Sequence, residues 1–154
     1  MAAYSRFVKN LDGKSNSVEL SFIVANGVTV TQGDMVYFSS GTVTSAASST
    51  AHLIGMANGT ATGNAGGTIK VSVLVDDSAV YLMKNDNLVT TFASTHVGQY
   101  FSLIGATGAQ LIDTSTVSTT VLQMLCIEYN PQIDPVRTDL TYGLFVIALH
   151  AARG

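Results

Sequence analysis

Short apolar runs, separated by glycine, serine and threonine, constrain this 154-residue chain more than any other feature of its sequence. The runs are about four to eight residues long and recur between polar tracts, and Ser, Thr and Val are abundant in the chain. Few stretches show the three-to-four-residue spacing of apolar residues that is typical of a helix. This pattern predicts an all-β domain built from short strands and tight turns.

Two segments illustrate how strands and turns alternate. "SVELSFIVANGVTV", residues 17–30, predicts a strand through Leu20, Phe22 and Val24, a turn at Asn26-Gly27 and a second short strand. "GDMVYFSSGTVTSA", residues 33–46, predicts a hairpin with its turn at Ser40-Gly41. Asn-Gly and Ser-Gly tolerate the backbone angles of tight turns.

One arrangement of strands occurs twice. Residues 33–57 and 98–128 both run through a Gly-polar pair, a strand with Tyr-Phe, a Gly turn, a short strand, a Ser/Thr loop and an apolar strand. We therefore predict related units at about 33–75 and 98–128 within a single β domain, 18–154. "YNPQIDPVRTDLTYG", residues 129–143, contains both prolines and predicts an excursion out of the sheet, and 143–150 predicts a closing strand.

The composition indicates a protein whose surface is partly covered. Apolar residues make up 47% of the chain, and charged residues make up only 11%, where about 25% is usual. Interfaces between identical subunits are more apolar and less charged than free surface. We therefore expect a homo-oligomer. With seven Lys and Arg and a net charge of −3, the chain lacks the basic character of a protein that binds nucleic acid directly.

The glycine-rich stretch "HLIGMANGTATGNAGGT", residues 52–68, is the segment most similar to a cofactor loop. It lacks the Lys-Ser/Thr ending of a phosphate loop, and a β-branched strand rather than a helix follows it. We interpret it as a hairpin connection, with Gly55 inside a strand where the missing side chain permits a bulge or the close approach of another backbone, and Gly63–Gly67 at a flexible tip. The sequence therefore predicts no cofactor at this stretch.

Residues that carry chemistry are sparse and scattered. His52, His96 and His150 are isolated from one another and from other metal-ligand types, and only Asp76-Asp77 suits a weakly held ion. No Gly-x-Ser-x-Gly motif or facing carboxylate pair occurs, and the single cysteine, Cys126, lies in an apolar run that predicts a buried thiol. We therefore predict that the protein is not an enzyme and holds no metal or other cofactor.

Neither a secretion signal nor a membrane span is predicted. "MAAYSRFVKNLDGK", residues 1–14, has no apolar core, and the longest apolar run, residues 143–152, is well short of the ~20 residues that cross a bilayer. We expect no membrane partner.

The segment "GDMVYFSSGTVTSAASSTAHLIGMANGTATGNAGGTIKVSVL", residues 33–74, resembles the core of tailed-bacteriophage head decoration proteins, also called capsid cement proteins. In these proteins a Gly-Asp strand, a short hairpin, an Ala/Ser/Thr loop, an Ile-Gly-Val/Met-Ala strand and a Gly-Gly-Thr strand follow one another. The resemblance implies a small β-barrel or β-tulip-like domain. Together with the strand pattern, it leaves an all-β barrel or sandwich domain with an extended N-terminal arm, 1–17, as the expected fold.

The resemblance also implies a function. Such a protein is made in the host cytoplasm, assembles as a homotrimer, and binds the major capsid protein on the outside of the mature head, where it bridges capsomers and stabilises the capsid. The arm joins the capsid by strand addition, which places the capsid-binding residues at Arg6, Phe7, Val8 and Lys9. Two alternatives remain: another phage structural part, such as a tail tube, head-completion protein or capsid fibre, and a carbohydrate-binding or adhesive β-sandwich module.

Overall fold

Short β-strands make up most of the regular structure. The computed structural model describes residues 6–11, 18–48, 50, 52–86, 91–115, 117–118, 122–129 and 142–148. The strands in these residues are β1 Arg6–Asn10, β2 Glu19–Ile23, β3 Thr29–Val30, β4 Met35–Ser39, β5 Thr42–Ser45, β6 Gly55–Ala57, β7 Ala61–Thr62, β8 Lys70–Leu74, β9 Ala79–Lys84, β10 Tyr100–Phe101, β11 Leu103–Ile104, β12 Leu111–Ile112, β13 Met124–Tyr129 and β14 Tyr142–Ile147. The described residues contain no α-helix, only a 3₁₀ turn at Ser94–His96.

The strands form two five-stranded sheets and two small ribbons. The N-terminal sheet has the order β2-β8-β6-β4-β5, and the C-terminal sheet has the order β1-β9-β14-β13-β10. The ribbons are β3-β7 and β11-β12, and every pairing between strands is antiparallel. The all-β prediction is confirmed. Because the sheets do not close into a barrel, the architecture is that of a sandwich-like domain.

The two halves of the chain follow the same path through their strands. In the N-terminal sheet the chain runs through β2, β4, β5, β6 and β8, which pair in the order β2-β8-β6-β4-β5. The second half of the chain runs through β9, β10 with β11, β12, β13 and β14. Here β9, β14, β13 and β10 repeat the order β2-β8-β6-β4, and the counterpart of the β4-β5 pair is the separate ribbon β11-β12. The matching order therefore includes the flanking strands β2 and β9, which lie outside the two segments compared in the sequence.

Individual hydrogen bonds match between the two halves as well. Gly33 N–H donates to the Ala57 carbonyl at 2.9 Å, and Gly98 N–H donates to the Cys126 carbonyl at 2.8 Å. One parallel bridge joins Val24 to Val43, and another joins Asn85 to Ile112. The residue after each bridge also makes the same hydrogen bond in both halves. Ala25 N–H donates to the Val43 carbonyl at 3.0 Å, and Asp86 N–H donates to the Ile112 carbonyl at 2.9 Å. These bonds fix which residues of the two halves are equivalent.

Three apolar clusters hold the sheets together. The central core takes residues from both sheets, including Met35 and Met56 from the first and Phe101 and Phe145 from the second. A second cluster lies on the opposite face of the N-terminal sheet and is mostly valine. The third cluster, called here the outer cluster, lies on the opposite face of the C-terminal sheet, with buried members Val80, Leu82, Tyr142, Leu144 and Val146. Successive side chains of β9 alternate between the central core and the outer cluster, as the pleat requires.

Several local predictions are confirmed. The hairpin of β4 and β5 turns at Ser40-Gly41, and Gly27 has the positive φ of 72° that a turn at Asn26-Gly27 needs. The closing strand is β14, which lies between β9 and β13 in the middle of the C-terminal sheet. The predicted excursion through Pro131 and Pro135 lies outside the described residues.

Candidate functional site: the sheet edges

The four residues predicted to bind a capsid lie in the edge strand β1. Arg6–Asn10 pairs antiparallel with β9, and the register shifts between Phe7 and Lys9. Residues 6–10 therefore belong to the C-terminal sheet and do not project from the domain as an arm. The other residues of the predicted arm, apart from Leu11, lie outside the described residues.

The side chains of β1 divide into two groups. Phe7 packs against the central core with its ring edge-on to Tyr81, at 6.4 Å between centroids, and Val8 packs against the outer cluster. Lys9 is exposed and Arg6 is partly exposed. Phe7 and Val8 therefore fasten the strand to the fold, which leaves Lys9 and Arg6 as the predicted residues with charge at the surface. Capsid binding by these residues stays a prediction.

The outer edge of β2 is a second strand edge, which the sequence did not single out. Two backbone hydrogen bonds show which residues of this segment face β8. Val75 N–H donates to the Val18 carbonyl at 2.9 Å, and Val24 N–H donates to the Ile69 carbonyl at 2.9 Å. Since hydrogen bonding alternates along an antiparallel strand, Glu19, Ser21 and Ile23 direct their N–H and C=O groups away from β8. Just past the end of β2, Ala25 N–H donates to the Val43 carbonyl of β5 on this side. Along Glu19–Ser21, no strand within the described residues pairs with it.

Exposed apolar side chains accompany this open edge. Val18 is 55% exposed and Leu20 is 52% exposed. Farther along the same face, the Phe22 ring lies edge-on to the exposed Phe38 ring at 5.1 Å. An open edge with apolar side chains is a template for another strand, and a stable soluble protein normally guards such an edge.

Glu19 gives the open edge a fixed negative charge. Its Oε1 accepts hydrogen bonds from the Asn58 amide at 2.6 Å and from the Ser72 hydroxyl at 2.8 Å. These two hydrogen bonds stabilise the carboxylate and hold the pKa of Glu19 below its usual value. The carboxylate is therefore ionised and oriented at neutral pH.

Buried polar side chains hold the two halves together, a role that was not predicted from the sequence. Asp34 accepts hydrogen bonds from the N–H groups of Thr31 at 2.9 Å and Gly108 at 2.8 Å, from the Ser45 hydroxyl at 2.8 Å, and from the Thr107 hydroxyl. Thr107 and Gly108 belong to the loop 105–110 between β11 and β12. In the second half of the chain this loop takes the place of the tight turn at Ser40-Gly41. Since Asp34 precedes β4, its carboxylate ties this loop to the N-terminal sheet.

Two buried glutamines make further links of this kind. The Gln110 amide accepts from Met35 N–H at 2.6 Å and donates to the carbonyls of Met35 at 3.2 Å and Ala46 at 3.0 Å. Gln123 accepts from Leu103 N–H at 2.7 Å and donates to the Ala47 and Thr50 carbonyls at 2.7 and 2.6 Å. A glutamine inside the apolar run "VLQML" is the one sequence signal that marks such a side chain.

Of the predictions for the glycine-rich stretch, residues 52–68, the one for Gly55 is confirmed and the one for Gly63 is not. Gly55 lies inside β6, and a Cβ built there would be 1.7 Å from the Leu74 carbonyl oxygen, so the predicted close approach of a backbone is confirmed. Gly63 was predicted at a flexible tip, and this is wrong. It is buried and bridges to Asn26, and its Cβ would be 2.1 Å from the Ala25 carbonyl oxygen. The connection is therefore pinned at Gly63, and only the residues after it form the exposed turn.

His96 and Asp76, two of the residues considered for chemistry, have structural partners, and His150 lies outside the described residues. His96 Nδ1 accepts from Ala93 N–H at 2.9 Å, and Asp76 Oδ1 accepts from Ser78 N–H at 3.0 Å and from the Ser78 hydroxyl at 2.7 Å. Cys126 is buried, as predicted, and burial raises the pKa of its thiol to about 11. In the part of the chain that the structure describes, no three His, Cys, Asp or Glu side chains group together as metal ligands.

No helix among the described residues has both the length and the apolar character needed to cross a membrane. No protein-family model matches the sequence, and it has no match among the curated proteins.

Proposed function

We propose that the protein is a structural component of a tailed-bacteriophage virion, a head decoration protein that binds the outside of the capsid and stabilises it by bridging capsomers. The observation that carries this proposal is the resemblance of residues 33–74 to the core of such proteins. In the structure these residues supply β4, β5, β6 and β8, four of the five strands of the N-terminal sheet. The resembling segment thus forms a contiguous part of one sheet.

The surface supports a function performed by interfaces. Only 11% of the residues are charged, and large apolar side chains are exposed at Leu11, Val18, Leu20 and Phe38. Such a surface favours contact with other protein, and an open strand edge favours strand addition. The proposed partners are the major capsid protein and further copies of the same chain. The proposed location is the exterior of the virion.

Binding to undecorated heads tests this proposal. The purified protein is mixed with heads of the phage that encodes it, prepared without this protein, and the pellet after sedimentation is quantified. We expect saturable binding at a fixed number of copies per head and a higher temperature of head disruption. An absence of saturable binding would contradict the proposal, and stabilisation by glycans without head binding would favour the carbohydrate-binding alternative.

Substitutions in β1 test the predicted capsid-binding residues. Deleting the whole segment would strip β9 of a partner strand and remove the Phe7 contact with Tyr81, so loss of binding after deletion would be ambiguous. Lys9→Glu reverses an exposed charge and leaves the packing in place. Lys70→Glu, at an exposed position of β8, makes the same charge change elsewhere. We expect weaker head binding for Lys9→Glu alone, and equal binding of the two variants would remove Lys9 from the site.

A further inference from the structure

The first strand of each half differs in what covers its outer edge. The bridges at Val24 and Asn85 make β2 and β9 equivalent strands. The outer edge of β9 pairs with β1 through Ala79–Leu82. Counting back from the equivalent bridges, the matching stretch of β2 is Val18–Ser21. Within the described residues this stretch pairs with no strand on that side.

The exposed groups of Val18–Ser21 are those that a strand would bury. Glu19 and Ser21 direct their N–H and C=O groups outward, and Val18 and Leu20 are about half exposed, at 55% and 52%. In the other half, the equivalent apolar residue Tyr81 is buried beneath the Phe7 ring of β1. Among the described residues the fold therefore contains two equivalent strand-accepting edges, one filled and one open.

We propose that the open edge is filled by the same edge of a second copy, so that β2 pairs antiparallel with β2 of its partner across a two-fold axis. Each chain has two accepting edges but only one β1. If β1 moved to the β2 edge of another copy, it would leave β9 uncovered, and the number of open edges would not change. Pairing of β2 with β2 closes both open edges and leaves β1 in place.

A pairing register centred on Leu20 gives hydrogen-bond partners to the outward-facing backbone groups of the edge. Glu19 of one copy then lies opposite Ser21 of the other, and each such pair exchanges two backbone hydrogen bonds. Leu20 meets its own copy on the axis, and Val18 lies opposite Phe22, so the exposed apolar side chains are buried together. Glu19 faces a serine hydroxyl and not a second carboxylate, which avoids like charges directly opposite. The N-terminal sheets of two copies become one continuous sheet.

Cysteine cross-linking tests both the contact and its register. Opposed residues at a non-hydrogen-bonded position have Cα atoms about 4.5 Å apart, within the range of a disulfide. Leu20→Cys is therefore expected to form a disulfide-linked dimer rapidly under mild oxidation. Val18→Cys is the matched control, since it is equally exposed on the same face, but the two copies of this residue would lie roughly 13 Å apart along the strands. The native Cys126 is buried and does not interfere.

The mass of the assembly in solution provides a second readout. Leu20→Lys places two like charges on the axis, so sedimentation velocity is expected to show particles of half the wild-type mass. Ile104→Lys changes another exposed apolar residue, 40% exposed in β11, and is expected to keep the wild-type mass. Far-UV circular dichroism verifies that both variants are folded.

Three outcomes would overturn the inference: equal cross-linking of Leu20→Cys and Val18→Cys, a wild-type protein that stays monomeric at high concentration, or an assembly whose mass Leu20→Lys leaves unchanged. A monomer would indicate that a strand from a different protein fills the edge. These measurements use the pure chain, so they succeed or fail independently of binding to phage heads.

Discussion

The Gln110→Met substitution tests how the two halves of the protein are held together. The Gln110 amide is buried and reaches from the loop between β11 and β12 to the backbone of Met35 in β4 and of Ala46, the residue after β5. Its oxygen accepts from Met35 N–H at 2.6 Å, and its nitrogen donates to the carbonyls of Met35 and Ala46. Methionine has a similar length and volume but makes none of these hydrogen bonds.

The expected loss follows from which backbone groups are left without a partner. Met35 N–H and the Ala46 carbonyl lose the hydrogen bonds that Gln110 gives them. The Met35 carbonyl does not, because it also accepts from Ala46 N–H at 2.8 Å. Each buried group left unsatisfied costs about 1–3 kcal/mol, and the apolar methionine recovers part of this. We expect the free energy of unfolding to fall by about 2–4 kcal/mol, a large share of the roughly 5–15 kcal/mol of a typical domain.

Urea unfolding followed by far-UV circular dichroism measures this change, since the protein has no tryptophan to report by fluorescence. Gln32→Met is the matched control, because Gln32 is exposed, and its free energy of unfolding is expected to change by less than about 0.5 kcal/mol. A difference between the two variants smaller than about 0.5 kcal/mol would refute the role given to Gln110.

Three further substitutions probe the interior. The Tyr81 hydroxyl is buried and has no hydrogen-bond partner in the described part of the chain, so Tyr81→Phe is expected to raise the free energy of unfolding by about 1 kcal/mol in urea; a loss of similar size would indicate a hidden partner. Gly55→Ala places a Cβ 1.7 Å from the Leu74 carbonyl oxygen at a φ of 149°, so it is expected to prevent folding, and a native circular dichroism spectrum would contradict this. Burial raises the Cys126 pKa from 9.0 to about 11, so the folded state keeps the thiol proton that the unfolded state releases, and stability is lost as the pH rises through this range. Cys126→Ala is expected to reduce that loss of stability between pH 9 and 11. Urea unfolding midpoints of the wild type and the variant, measured at pH 9 and at pH 11, test this.

Local features of the fold are predictable from the sequence because their causes are local. The hairpin at Ser40-Gly41 and the turn at Asn26-Gly27 depend on residues that tolerate tight-turn angles. The buried thiol of Cys126 follows from the apolar run that contains it. The strand order could not be predicted in this way, because a strand such as β14 can pair with any other apolar strand until the core selects its neighbours.

In the candidate site too, some features are predictable from the sequence and others depend on the folded chain. The sequence identified the residues of β1 but not their place, since pairing with β9 depends on a strand about seventy residues away in the chain. Asp34, Gln110 and Gln123 are ordinary polar residues in sequence, and only the folded chain brings them to the backbone groups that they satisfy.

The sequence by itself determined that the chain is all-β, where several of its strands and turns lie, and that one arrangement of strands occurs twice. Alternating side chains and turn residues determine these features over a few residues. Only the tertiary structure decided that β9, β14, β13 and β10 repeat the order of β2, β8, β6 and β4, that β1 covers the edge of β9, and that no strand of the described residues covers the equivalent stretch of β2. Those facts depend on hydrogen bonds between distant strands, and the pattern within one strand does not specify which strand lies beside it.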